Sequence, residues 1–235
     1  FAANPPARPN VLFIAVDDLR DWIGYFGHNP QSKTPNYDRL SRMGTSFTRA
    51  YCASPVCNPS RTALMSGLRP STSAVYENNI DFRPIIPPAK MLTTAFREAG
   101  YYVHGAGKIY HEAYRRREEW DDYLEKERGD PRPPAGRSEG VGGIKFAPLD
   151  CRDDELSDWG IADYGIASLQ RKHDQPFFLA VGFHKPHMPW NVPRKWFDLF
   201  PLESIKLPPY LENDLDDLPP AAVRMAHPET DHVPM

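Results

Sequence analysis

No stretch of this sequence approaches the roughly 18–20 uninterrupted apolar residues that a membrane-spanning helix needs, so no span is expected. A basic excess is also missing: 28 Lys and Arg stand against 31 Asp and Glu, a formal charge of −3. A surface that tracks nucleic-acid phosphates needs clustered cations. The one cluster, Arg115-Arg116-Arg117, is neutralised by Glu112, Glu118 and Glu119 and reads as a solvated face, so no nucleic-acid partner is expected. Cysteine is scarce, and the three residues at 52, 57 and 151 cannot all pair. A Cys52–Cys151 bridge and a pair of buried thiols both remain open readings. The chain opens at Phe1 with neither methionine nor a signal-peptide core, which fits an exported protein (periplasmic, secreted or lysosomal) after signal removal, or a trimmed one.

Proline, by contrast, is plentiful: 26 residues, densest from Pro186 to Pro234, which points to long ordered excursions rather than a helical bundle. The apolar run Asn10 to Val16 ends abruptly in Asp17-Asp18, the pattern of a strand buried on both faces with acids at its carboxyl end. A helix is expected next, with Thr34 as cap, Pro35 first, Tyr37, Leu40 and Met43 facing inward, and Gly44 as stop. Residues 89 to 99 read as a helix closed by Gly100, followed by a strand over 101–105 that delivers Gly107-Lys108-Ile109-Tyr110-His111. A helix near Asp158 to Lys172 leads to the strand Phe177 to Phe183, which delivers His184-Lys185-Pro186-His187. Alternating strands and helices predict an α/β fold, a mainly parallel sheet flanked by helices on both faces. A charged, Pro- and Gly-rich stretch at about 112–157 reads as a surface insertion. Beyond Pro201 the tail reads as irregular, apart from a short strand near Ile205-Lys206-Leu207.

The densest chemistry lies in Cys57-Asn58-Pro59-Ser60-Arg61. Asn58 can cap a helix, Pro59 suits its first position, and Gly67 supplies a stop. That places Cys57 at the positive end of a helix, where an anion is favoured. Arg61 sits badly there, since a cation in the first turn costs about 0.3–1 kcal/mol unless an anion lies between. Something negative is therefore expected beside it. A phosphatase-type cysteine loop needs its arginine six positions after the cysteine, and position 63 is Ala63, so that reading fails on spacing. Paired acids such as Asp17-Asp18 alone form a capping turn in most proteins. Both can point inward together only if a cation offsets their repulsion, and calcium or magnesium takes such oxygen ligands.

Cys57 to Arg61 followed by Leu64-Met65-Ser66-Gly67 resembles the sulfatase signature, in which the cysteine is oxidised to formylglycine. Gly100-Tyr101 with Gly107 to His111 resembles the second signature of that family, and Asn10 to Asp18 and Thr34 to Leu40 resemble further family segments. Asn58 and Val103 depart from the residues more usual at their places. Asp17-Asp18-Leu19-Arg20, Gly107 to His111 and the run from Phe177 through His187 to Glu203 are similar to the iduronate-2-sulfatase group.

The resemblance implies the alkaline-phosphatase-like sulfatase fold and a sulfated carbohydrate substrate, such as a sulfated uronic acid. It also implies maturation by a formylglycine-generating enzyme. Asp17, Asp18 and residue 57 would hold Ca2+, and Cys57, as a formylglycine hydrate, would attack sulfur. Arg61 would pin the hydrate, Lys108 and His111 would bind sulfate or the hydrate, and His187 would contact sulfate and protonate the leaving oxygen. Lys185 is a further substrate-binding candidate, while His184 reads as structural, bonding backbone beside a proline turn. Trp190, Trp196 and Phe197 are expected to pack a loop onto the core, and Arg20 and Asp21 to form a local ion pair.

Family members carry a later Asp-His-Gly or Asp-Asn-Gly and a further sulfate-binding lysine, neither present as such. Asp231-His232 is followed by Val233 and receives no metal role. Residues 1–235 therefore read as the N-terminal part of a sulfatase catalytic domain, with the C-terminal part as its partner. A phosphomonoester or phosphonate hydrolase on the same scaffold and a non-catalytic glycan-binding fragment are the competing readings.

Overall fold

The computed structural model describes residues 8–111, 114–134, 139–141, 144–209 and 211–226; Asp231 and His232 lie outside them. In chain order the elements are β1 (Val11–Val16), α1 (Pro35–Ser41), α2 (Cys57–Ser66), α3 (Pro70–Ser73), α4 (Leu92–Glu98), β2 (Tyr102–Gly107) and β3 (Asp122–Tyr123). There follow β4 (Glu139–Val141), β5 (Ile144–Leu149), α5 (Ser157–Gln170), β6 (Phe177–Phe183), β7 (Trp190–Pro193), α6 (Arg194–Phe197) and α7 (Pro220–Ala226).

Two compact units result. The first comprises Phe1–Asp18, Arg49–Asp130 and Asp154–Pro186. Its sheet has the order β1-β6-β2-β3, with every pairing parallel. β6 is the central strand because all seven of its residues are apolar or small, with only Phe183 less than fully buried. Its side chains alternate between two cores. Phe178 and Ala180 join Met65, Phe82 and Val103 on one face, while Phe177, Leu179 and Val181 meet Ile161 of α5 on the other. Burying side chains such as Phe178 and Leu179 stabilises by about 1.5–3 kcal/mol each. Helices thus cover both faces, as the alternation of elements predicted. β1 departs from expectation: Leu12 and Ile14 are 43% and 47% exposed, because β1 has a single strand neighbour and one of its faces is open among the described residues.

Parallel alignment puts the carboxyl ends of β1, β6 and β2 on one edge, where ligand sites of open α/β sheets gather. The approach of β2 to β6 at this edge is close. A Cβ on Gly107, whose φ is +77°, would lie 2.0 Å from the Gly182 carbonyl oxygen, and one on Gly182 would lie 2.2 Å from that of Lys108. Glycine at both positions lets the Lys108 N–H reach the Gly182 carbonyl at 2.8 Å.

Several local expectations need correction. α2 begins at Cys57 itself, and Asn58 does not cap it. Asn78, twenty residues on, accepts the Asn58 N–H at 2.9 Å, while the buried Asn58 side chain donates to the carbonyls of Glu77 and Ile80. Gly67 does stop the helix, at φ +70°. Arg116 and Glu119 are not on a solvated face, being 5% and 2% exposed. Arg116 bonds Glu119 at 3.2 Å and the carbonyl of Arg83 at 2.6 Å, and Glu119 also accepts from Tyr110 at 2.6 Å and Thr93 at 2.9 Å. Trp120 and Tyr123, within the stretch expected as a surface insertion, are buried too, because β3 joins the main sheet.

The second unit comprises Leu19–Thr48, Pro131–Asp153 and His187–Met235. β5 pairs antiparallel with β4 and parallel with β7. α1 ends at Ser41 rather than near Gly44, and Leu40 and Met43, expected inward, are 59% and 77% exposed. Ile205-Lys206-Leu207 forms no strand; the Lys206 N–H is held instead by the Gln31 side chain at 2.7 Å. α7 breaks the tail that read as irregular. Trp190 and Trp196 are about half exposed rather than packed away. Arg20 and Asp21 do pair, at 3.2 Å on the surface.

The glycine geometry yields a graded prediction for thermal unfolding. Gly67→Ala, with open space around it, should cost about 1 kcal/mol through its left-handed backbone alone. Gly107→Ala should cost several times more or prevent folding, and equal costs would show that the strand approach is not as close as described.

Candidate active site

Asp17 directly follows β1, and its side chain is 5% exposed. Oδ1 accepts from Arg61 Nη2 at 2.6 Å, and Oδ2 accepts from Lys108 Nζ. This is the anion that Arg61 required. The helix places the guanidinium one turn from Cys57, and Arg61 Nη1 is held in turn by the carbonyls of Lys108 and Ile109. Cys57 Sγ lies 4.0 Å from Asp17 Oδ1 and 3.8 Å from Lys108 Nζ. The first unit therefore brings together Asp17, Cys57, Arg61 and Lys108 from β1, α2 and the end of β2.

Burial works to raise the pKa of Asp17. The hydrogen bonds from Lys108 and Arg61 and their positive charges together outweigh it and hold the carboxyl below its ordinary 3.8. Two cations face one carboxylate, leaving one unit of positive charge to receive an anion.

The other predicted residues are placed as follows. Asp18 is exposed and adopts φ +56°, a left-handed turn directly after the strand. His111 is half-buried, its ring 6.1 Å from that of Tyr114, and follows Tyr110, which Glu119 anchors. Lys185 Nζ pairs with Asp130 at 3.2 Å. His187 belongs to the second unit, where its Nδ1 meets the Met188 carbonyl. No disulfide joins the cysteines among the described residues, so the Cys52–Cys151 bridge does not form.

Structure also adds residues that motif reasoning missed. His184 does not bond backbone through its ring: Nε2 meets Glu127 Oε2 at 3.0 Å, and this bond, against the opposing effect of burial, raises its pKa above 6.5. Asp158, in the first turn of α5, accepts the backbone N–H groups of His184 and Lys185 at 2.8 Å each. The signal for Asp158 was its place at a helix start, where acids favour N–H groups. Glu127 gave none, lying in a charge-rich stretch without periodicity.

For a divalent cation the donor chemistry is selective. The Asp17 carboxylate is a hard oxygen donor suited to calcium, but a thiol at position 57 is a soft one. The position would fit calcium only with its sulfur replaced by oxygen, as conversion to formylglycine would do.

Residues 9–204 match the family described as Sulfatase. A sulfatase of Formosa agariphila is 38% identical, the match covering 93% of this chain and 47% of that protein. Iduronate 2-sulfatase of Homo sapiens is 33% identical, covering 91% and 41%. A solved structure described as a 2-O GAG sulfatase has a TM-score of 0.57 at 25% identity, covering 76% of this chain and 35% of its own. Phosphonate monoester hydrolase of Agrobacterium radiobacter, TM-score 0.65 at 23% identity over 83% and 44%, shares the fold. The chain spans less than half the length of these curated relatives.

Three expectations follow. Replacing Arg61 with methionine leaves Asp17 charged and half-compensated, so urea titration at pH 7 should show a loss of about 3–5 kcal/mol. Because the Asp17 pKa is depressed, its contribution is full above the unfolded value near 3.8 and is lost as pH falls through the lower folded value. Asp17→Asn should therefore abolish that acid-side decline. For His184 the sign reverses: the Glu127 contact stabilises fully below about pH 6.5 and fades as pH rises through the raised folded pKa. An NMR titration midpoint for His184 at or below 6.5 would contradict this.

Proposed function

Because this chain belongs to the sulfatase family, we propose that it is the N-terminal part of a sulfuric ester hydrolase that removes an O-sulfate from an acidic carbohydrate. The observation that carries the reading is the convergence of Cys57, Arg61, Lys108 and Asp17, with two cations around one buried carboxylate. The substrate class is supported by the 33% identity to an iduronate 2-sulfatase and the likeness to a 2-O GAG sulfatase. A sulfated uronic acid or a related polysaccharide unit is the candidate.

Sulfate-ester cleavage at sulfur places negative charge on the three equatorial oxygens and on the leaving alkoxide. Lys108, buried and 3.8 Å from the residue 57 side chain, supplies positive charge where a sulfate oxygen would lie. Arg61 fixes the orientation of the same region, since its guanidinium is locked by Asp17 and by two carbonyls of the loop that carries Lys108. Asp17 keeps both cations from repelling one another and, with Asp18 and residue 57, is the set that would hold Ca2+. Calcium, when bound, would polarise the sulfate and make the attacking hydroxyl more acidic. As a formylglycine hydrate, residue 57 would supply one hydroxyl to attack sulfur as the S–O bond to the sugar oxygen breaks, and a second whose deprotonation would break the C–O bond to the transferred sulfate and restore the aldehyde. His111 is assigned to sulfate or hydrate binding, His187 to protonation of the leaving oxygen, and Lys185 to a weaker place in the pocket.

The partners in this reading are the sulfated carbohydrate, a formylglycine-generating enzyme and the C-terminal part of the catalytic domain. An exported location belongs to the same proposal, since a polymeric sulfated substrate does not cross a membrane unaided. No helix among the described residues is long and apolar enough to cross a membrane.

Mass spectrometry of the tryptic peptide around position 57 tests the chemistry, with the full polypeptide coexpressed with a formylglycine-generating enzyme. An aldehyde is expected, together with sulfate release that a chelator suppresses and that exceeds phosphate release from the matching phosphate ester. An unmodified thiol in fully active protein would end the mechanism, and preferential phosphate release would favour the phosphohydrolase reading.

A further inference from the structure

Beside the reaction centre lies a cavity of about 310 Å³, lined by Gly107, Lys108, Arg115, Tyr123, Glu127 and His184, with Tyr110 at its wall. That volume is at the low end of the roughly 300–1,000 Å³ of small-molecule sites, enough for about one sugar ring with some water. Its walls are the carboxyl ends of β2, β3 and β6, so it shares the sheet edge that carries the reacting groups. Lys108 belongs to both: it lines the cavity, and its ammonium bonds Asp17 and lies 3.8 Å from Cys57 Sγ.

Of the charged groups on the wall, the Lys108 ammonium is turned to Asp17 and His184 bonds Glu127 at 3.0 Å, so Arg115 is the cation that an incoming anion would meet. Arg115 is also poised to exchange partners. Its guanidinium stacks on the Tyr123 ring at 4.0 Å, which fixes its plane, while Nη2 donates to Glu125 at 2.6 Å. Glu125 is about half exposed and is held independently by Arg117 Nε at 2.6 Å. An incoming anion can therefore take the Arg115 fork while Glu125 stays paired with Arg117, so binding leaves no carboxylate stranded. Glu127 is placed to accept hydroxyl groups, and the tyrosine rings supply apolar faces.

From this geometry we infer that the cavity is a subsite for a second acidic sugar, whose carboxylate or sulfate pairs with Arg115 and His184 while its hydroxyls bond Glu127. The inference rests on the sulfatase reading only for the kind of ligand; the charge and shape of the cavity stand apart from it. It assigns Arg115, Glu127 and His184 to recognition of the residue adjoining the scissile ester, and so to oligosaccharides over simple sulfate esters.

Calorimetric titration of the full polypeptide with an unsulfated, uronate-containing disaccharide tests this without any cleavage. Saturable binding is expected, weakened about tenfold by Arg115→Gln and several-fold by His184→Gln. If Arg115→Gln melts below the assay temperature, Arg115→Lys carries the test, with a smaller loss as the planar fork is removed. A carboxyl-reduced, sulfated disaccharide that binds more weakly than the uronate assigns the carboxylate, and one that binds more tightly assigns the sulfate. Equal binding of a neutral, carboxyl-reduced and unsulfated disaccharide would overturn the inference, as would wild-type binding that ignores both substitutions or is absent. Sulfate release without uronate binding would sink the subsite and leave the hydrolase reading intact; uronate binding without sulfate release would do the reverse.

Discussion

The buried carboxylate of Asp17 organises the first unit's chemistry. It lies at the end of β1, pairs with a guanidinium from the first turn of α2, and pairs with an ammonium from the loop after β2. Three separate stretches of chain are thereby tied at one point. None of the three charges is acceptable alone, since an unpaired ion this deeply buried costs several kcal/mol. Arg61 is in addition opposed by its own helix dipole. The residue types therefore require one another, and the sheet edge is where these three stretches meet.

Geometry around that point is set by features with no charge at all. Gly107 and Gly182 let β2 and β6 approach closely enough for Lys108 to be fixed through its backbone before its side chain turns toward Asp17. Asn58 and Asn78 fasten the start of α2 to the loop after α3, which holds Cys57 and Arg61 in register. On the far side of the same loop the buried network of Arg116, Glu119, Thr93 and Tyr110 anchors the segment leading to His111. In the proposed reaction this rigidity would serve a dispersed anion, because the donors around it need no rearrangement as charge develops.

Much of this was legible in residue order. The apolar run before Asp17, the all-apolar strand Phe177–Phe183, the Cys57 helix with its Gly67 stop, and the Gly107 loop are strong local patterns, and the structure places their ends on one edge. The demand of Arg61 for an anion was also readable, although not which residue would meet it. What could not be read depended on long-range contact. Asn78 capping a helix twenty residues earlier, Glu127 meeting His184 and the burial of Arg116 with Glu119 all join segments whose proximity no periodicity encodes. The outward faces of Leu40 and Met43 show the converse, in that an amphipathic pattern marks a helix without naming what covers it.

A double-mutant cycle on Asp17 and Arg61 tests the central claim most directly. Stabilities of the wild type, Asp17→Asn, Arg61→Met and the double variant would be taken from urea unfolding at pH 7. If the carboxylate and guanidinium depend on one another as described, the double variant should be less damaged than the sum of the single changes, by about 2 kcal/mol or more. Additivity within about 0.5 kcal/mol would contradict the account, because it would mean that the two charges do not answer each other in the folded protein.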